Sequence, residues 1–236
     1  MRAKSRAIAL LLTVSIAAAL AGCASGPAEP KPEIRRFTLI PVASPLHVST
    51  ANKTLALPLV PALIVSSIDN RWKSARFDEK LASVRKAMGE KMTAALLKEL
   101  AAQGFEVTLL ENVHRPADDP DAIDYKRLPT REPVLHVTFD EVGMYAGRLS
   151  IDYQPKVNVS AQLWARPGDK AWLVSETFFF GADSSGDDDW SAPADPKYRY
   201  PDFDTLMSKS DEVAESYDVA IQALAKRVAS QLRAQL

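Results

Sequence analysis

A single cysteine, Cys23, closes a short apolar run near the start of this chain, and its placement narrows what the rest can be. Arg2, Lys4 and Arg6 come first, residues 7–20 follow without a charge, and small residues end the run. Such a run is too short to span a bilayer, and its three-part order is that of a cleaved export leader. With Cys23 at the leader's end, the remainder carries no thiol. A disulfide staple, a cysteine zinc site and a thiol nucleophile are therefore excluded from the body. It must hold itself together by packing and hydrogen bonding alone, and its length allows one domain with a sizeable core.

Leu20-Ala21-Gly22-Cys23 resembles the lipobox of bacterial lipoproteins. The resemblance implies that the Cys23 thiol takes a diacylglycerol, that cleavage falls before it, and that the new amino terminus receives an acyl chain. A thiolate is the nucleophile such a transfer needs, and small neighbours give an enzyme access to the backbone. Two acyl signals already suffice for stable anchoring. Ala24 stands where the family commonly places an aspartate for inner-membrane retention, so the resemblance implies delivery to the periplasmic face of the outer membrane. The expected organisation is a signal peptide over 1–22, a lipidated Pro/Ala-rich tether over 23–33 with Pro27, Pro30 and Pro32, and one periplasmic domain over 34–236.

The whole chain has 29 basic and 30 acidic residues, a net charge of −1. Loss of the three basic leader residues takes the body to −4. A mildly acidic body argues against nucleic acid as a partner and against a polybasic membrane-binding surface.

Alternation of Phe37, Leu39 and Pro41 with Thr38 and Ile40 predicts a strand over 36–42. Residues 55–68 form the most apolar stretch of the body, broken by Pro58 and Pro61, which argue against a regular helix at its start. Residues 62–68 read as a buried strand, with an exposed apolar face for a partner or membrane as the alternative. Phe77, Leu81, Val84, Met88, Met92, Ala95 and Leu100 share one face of a helix over 77–100, with Gly104 as its C-cap. Strands are predicted over 105–110 and 134–145. A hairpin pairs 156–165 with 171–180 around Arg166-Pro167-Gly168-Asp169, with Trp172, Val174, Phe178 and Phe180 on one face of its return arm. Residues 112–133 and 183–200 read as irregular surface segments. Val213, Tyr217, Ile221, Leu224, Val228 and Leu232 form the stripe of a closing helix over 211–236, with Ser210 as N-cap.

The expected fold class is α+β: one four- to five-stranded, mostly antiparallel sheet with two long amphipathic helices packed on one face. With the lipobox in front, this order is similar to several envelope lipoproteins. They are the auxiliary lipoproteins of ABC-type transport systems, the lipopolysaccharide-assembly and curli-secretion lipoproteins, and the penicillin-binding-protein activators. The matching pieces are residues 79–104, the hairpin over 157–181 and the closing helix from Tyr217. Members of that set are non-catalytic partners of transport or cell-wall machines. The resemblance therefore implies a membrane-anchored protein that docks an envelope protein complex, with no cofactor beyond the lipid on Cys23.

The residues carry little recognisable chemistry. His47, His114 and His136 stand far apart with no metal-ligand spacing, and no nucleophile elbow, P-loop or dinucleotide fingerprint occurs. No catalytic or metal residue is assigned. The adjacent Asp140-Glu141 and the run Asp187 to Asp189 are the carboxylates from which acid–base hydrolysis could be built. Leu59 and Leu63 in the apolar run, with Trp72, Trp190 and Tyr198 in loop-like context, are the candidate partner surface. Docking of an envelope complex is the leading reading. Binding of an envelope polymer such as peptidoglycan is the alternative, and a hydrolase the third.

Overall fold

In the computed structural model, the chain is described over residues 33–52, 60–146, 152–182 and 190–236, with backbone alone at 52 and 60–68. Leu20, Ala21, Gly22, Cys23, the tether, Leu59 and Asp187 to Asp189 lie outside the described residues.

The long strand β4 (Val134–Ala146) organises the sheet. Along one edge it pairs in parallel with two short strands, β1 (Arg36–Leu39) near its start and β2 (Ser49–Asn52) near its end. Beyond β1 lies β3 (Glu106–Leu109), also parallel. Along the other edge, β5 (Tyr153–Trp164) and β6 (Val174–Gly181) form an antiparallel meander, closed by the two-residue strand β7 (Ser191–Ala192) parallel to β6. The order is β3-β1-β4-β5-β6-β7, with β2 on β4 off that path. Among the described residues there are four α-helices: α1 (Val60–Lys80), α2 (Ala82–Ala102), α3 (Phe203–Ser208) and α4 (Ser210–Gln235).

This overturns the expected four- to five-stranded, mostly antiparallel sheet with two long helices. The sheet has seven strands and is mixed, and three helices exceed twenty residues. Residues 62–68 belong to α1 and not to a strand. Pro61 sits in the first turn of α1, where a missing N–H is harmless, so it starts the helix instead of forbidding it. The expected helix over 77–100 is the end of α1 and most of α2, parted at Leu81 (φ −100°, ψ 14°). The four parallel pairings carry short or edge strands, whose few residues leave little alternation to read.

Two faces of the sheet are filled differently. On one, Leu135, Val137, Val157, Val159, Phe178 and Phe180 pack against α2 and α4 in the main core. The expected α4 stripe is buried in full, joined by Ala220, Ala225 and Ala229. Small residues at those positions let α4 lie close to its neighbours, and Lys91 of α2 bonds Asp218 of α4 at 2.6 Å on the outside. Ser210 opens α4 but is not its cap. Lys209, between α3 and α4, holds that position without a side-chain capping bond, while Asp202 caps α3 by accepting from the Thr205 N–H at 2.7 Å. Parallel β3 and β4 flank β1, so the chain between them must cross β1. It does so over the second face, burying Ile40, Leu110, Ile123 and Val134 in a smaller cluster. The segment over 112–133 is thus a cover for one end of the sheet.

Tyr217 of α4 is fully buried, and its hydroxyl has no hydrogen-bond partner among the described residues. Burial drives its pKa well above the ordinary 10. An unsatisfied buried hydroxyl costs about 1–3 kcal/mol. Tyr217→Phe should therefore leave stability unchanged or raise it by about 1 kcal/mol, measured by urea unfolding. A clear loss would mean that the hydroxyl is satisfied in solution.

Candidate functional site

Asp140 owes its position to a β-bulge in β4. Phe139 faces Val159 and Glu141 faces Asn158, so Asp140 is the extra residue on its strand. A bulge breaks the alternation of side chains, and here two successive carboxylates border one cavity. The cavity is about 280 Å³ and is lined by Pro45, His47, Ser49, Asp121, Asp140 and Glu141 among others. Ser160 donates to Asp140 Oδ2 at 2.6 Å, and Thr138 lies 3.5 Å from Oδ1. Partial desolvation nevertheless raises the Asp140 pKa above the usual carboxylate range. Glu141 instead pairs with the buried Lys156 at 2.5 Å, whose ammonium also lies 4.7 Å from the Tyr145 ring centre.

Behind Asp121 stands a buried polar group that the covering segment creates. His136 is 2% exposed. Its Nδ1 lies 2.7 Å from the Tyr125 hydroxyl, and its Nε2 lies 3.8 Å from Asp121 Oδ1, beyond hydrogen-bond range. Arg115 donates to the carbonyl oxygens of Pro41 and Pro120 and approaches Asp121 Oδ1 at 3.7 Å. Burial sets the protonation of this group. It lowers the His136 pKa to about 4, with the Arg115 charge adding to the effect, and raises Tyr125 to about 12 and Asp121 above its ordinary value. At neutral pH the phenol keeps its proton and the imidazole is neutral, so Tyr125 can donate to Nδ1 with the ring proton on Nε2. Sequence spacing gives His136 no partner. It missed Asp121, Arg115 and Tyr125, because their meeting with Asp140 and His136 depends on how 112–133 crosses the sheet.

The candidate partner surface is divided. Trp72 on α1 is 57% exposed, with the Arg76 guanidinium 4.7 Å from its ring centre. Trp190 is 45% exposed beside β7, where its carbonyl accepts from the Phe179 N–H. Tyr198 is no surface residue: it is buried in a 3-10 turn (Pro196–Tyr198), and its hydroxyl donates to Glu215 of α4 at 2.9 Å. Tyr200 is likewise buried, bridging to Tyr153. Both rings lock the chain before α3 onto the sheet and α4. Leu63 lies in α1. Trp172 is the reverse case. Expected to face inward, it is 52% exposed, because the β5–β6 ladder begins at Val174 and leaves Trp172 in the connection.

No group of three or more His, Cys, Asp or Glu among the described residues is arranged to hold a metal ion. Among the same residues, no helix is long and apolar enough to cross a membrane.

No protein-family model matches the chain, and no curated protein matches it by sequence. Several solved structures align with this chain at low scores. Protein XCC0632 from Xanthomonas campestris, described as DUF330, aligns over 89% of this chain and 90% of its own at 12% identity and a TM-score of 0.38. The lipoprotein GNA1162 from Neisseria meningitidis aligns over 76% of this chain and 99% of its own, at 14% identity and a TM-score of 0.28. The hypothetical protein CT253 from Chlamydia trachomatis aligns over 81% and 98%, at 13% identity and a TM-score of 0.26. At such scores no residue role passes from them to this chain.

Proposed function

We propose that this chain is a non-enzymatic, lipid-anchored accessory protein of the bacterial envelope that docks a larger transport or assembly complex. The observation that carries the reading is Cys23, the chain's only cysteine, at the end of a charged, apolar and small-residue leader. In this reading its thiol bears the lipid, and Ala24 behind it directs the protein to the periplasmic face of the outer membrane. The body supplies a closed core and outward rings. Trp72 and Trp190 offer large, stiff contact area of the kind that anchors protein interfaces.

Cys23→Ser should move the protein from the membrane fraction to the soluble fraction and block conversion of precursor to mature form. If the variant still fractionates with lipid and is processed normally, the anchor is elsewhere and the reading falls. A photo-crosslinker at position 72 or 190 then tests the docking. Capture of one stoichiometric envelope protein supports it, whereas co-sedimentation with purified cell wall, and no protein adduct, replaces it with polymer binding. The hydrolase reading predicts a measurable turnover that Asp140→Asn abolishes.

A further inference from the structure

At the far end of the sheet from β2, three cations meet around one cavity. It is about 690 Å³ and is lined by Lys126, Leu128, Thr130, Arg131, Arg166 and Pro167. The three come from separate segments: Lys126 from a 3-10 turn (Tyr125–Arg127), Arg131 from the approach to β4, and Arg166 from the β5–β6 turn. Among the described residues none of the three side chains pairs with a carboxylate. The nearby acids are otherwise engaged. Asp124 pairs with Arg127 at 3.2 Å and caps its own turn, Asp169 accepts from the Arg166 backbone N–H at 3.0 Å, and Glu132 accepts from the Thr38 hydroxyl at 3.2 Å. In a chain of net charge −1, a cavity lined by three cations and no carboxylate is a local concentration of positive charge.

The scaffold beneath it is ordered by buried contacts. The Tyr125 ring packs on Trp164 with centres 4.5 Å apart, tying the 3-10 turn to the end of β5. Gly168, at φ +82°, brings the hairpin turn down onto the Lys126 stem: a Cβ there would sit 2.9 Å from Lys126 Cγ. The cations are therefore held near one another by the fold, at the cost of mutual repulsion that a bound anion would relieve.

We propose that this cavity binds a phosphate-class oxyanion. Two guanidinium forks and one ammonium match an anion that presents several peripheral oxygens in different directions. A carboxylate, with two oxygens in one plane, would satisfy fewer of them. The same chemistry is offered by a free phosphate or phosphomonoester and by the phosphodiester of a lipid headgroup. This site stands apart from the Asp121–Asp140 cavity and does not rest on the docking proposal.

Calorimetric titration of the full chain in a non-ionic detergent, at low ionic strength, tests the site with two probes. Inorganic phosphate represents the free ion, and glycerophosphoglycerol represents a headgroup diester without acyl chains. Saturable binding of either supports the proposal, and the tighter probe names the source. Lys126→Gln, Arg131→Gln and Arg166→Gln should each weaken binding about tenfold, with the melting temperature unchanged because all three side chains are exposed. Lys91→Gln, which removes an exposed cation on the helical side, should change nothing. Absence of saturable binding for both probes overturns the proposal, as does binding that survives the triple substitution K126Q/R131Q/R166Q.

Discussion

Replacing Gly89 with alanine should destabilise the protein by about 3 kcal/mol, although helix propensity alone predicts a gain of about 1 kcal/mol. Gly89 lies inside α2, where a glycine looks like a defect. The segment leaving β1 crosses the helix at this point. A Cβ on Gly89 would lie 2.5 Å from the Val42 carbonyl oxygen, 2.6 Å from the Ser44 nitrogen and 2.8 Å from the Ala43 carbonyl carbon. All three are backbone atoms and cannot rotate aside. The crossing is also bonded: the Gly89 N–H donates to Ser44 Oγ at 3.1 Å, Ser44 Oγ donates to the Lys86 carbonyl at 2.7 Å, and the Val42 N–H donates to Thr93 Oγ1 at 2.8 Å. Pushing the segment away would loosen these bonds together. Chemical denaturation of Gly89→Ala beside wild type reads the sign directly. A more stable variant would mean that residues 42–44 do not rest on α2.

The second large effect is a pH dependence centred on His136. The unfolded imidazole takes its proton near 6.5, while the folded one takes it at about 4. Between those values the unfolded state binds more protons, so stability falls as pH drops from 6.5 to 4 and levels off below. The gap corresponds to roughly 3 kcal/mol. Asp121 and Asp140 act in the opposite sense. Their folded pKa values are raised, so the folded state takes up their protons first and gains stability as pH falls through that range. The groups around His136 are Tyr125, Asp121 and Arg115, and of these Arg115 keeps its charge throughout. Comparing unfolding free energies at pH 7 and pH 4.5 for wild type and His136→Asn isolates the histidine. The wild type should lose the larger share of its stability. Equal losses in both proteins would remove His136 as the cause.

These two positions show where the chain could be read without its structure and where it could not. The α4 stripe from Val213 to Leu232 and the pairing of β5 with β6 were legible because each repeats one period over many residues, and one face of each is simply apolar. Gly89 gave no signal, since the backbone it admits lies more than forty residues away. The Asp140-Glu141 pair was visible as adjacent carboxylates, but the bulge that turns both toward a cavity, and the arrival of Asp121, depend on pairing with β5 and on the path of 112–133. Tyr198 and Trp172 exchanged their expected sides for a related reason. An aromatic residue in an irregular segment, or at the margin of a ladder, has no neighbouring pattern to say which way it faces.

What the sequence determined by itself were the features set by local spacing: the charged, apolar and small-residue order in front of Cys23, the absence of any other thiol, the helical periods that lie in α2 and α4, and the hairpin. Tertiary structure alone decided the mixed order of the sheet, the helix in place of a strand at 62–68, the burial of His136, and the three cations gathered at the hairpin tip. The physical reason is one of range. Periodicity and local composition are properties of neighbours along the chain, while parallel pairing, desolvation and charge clustering arise only when distant segments share the same space.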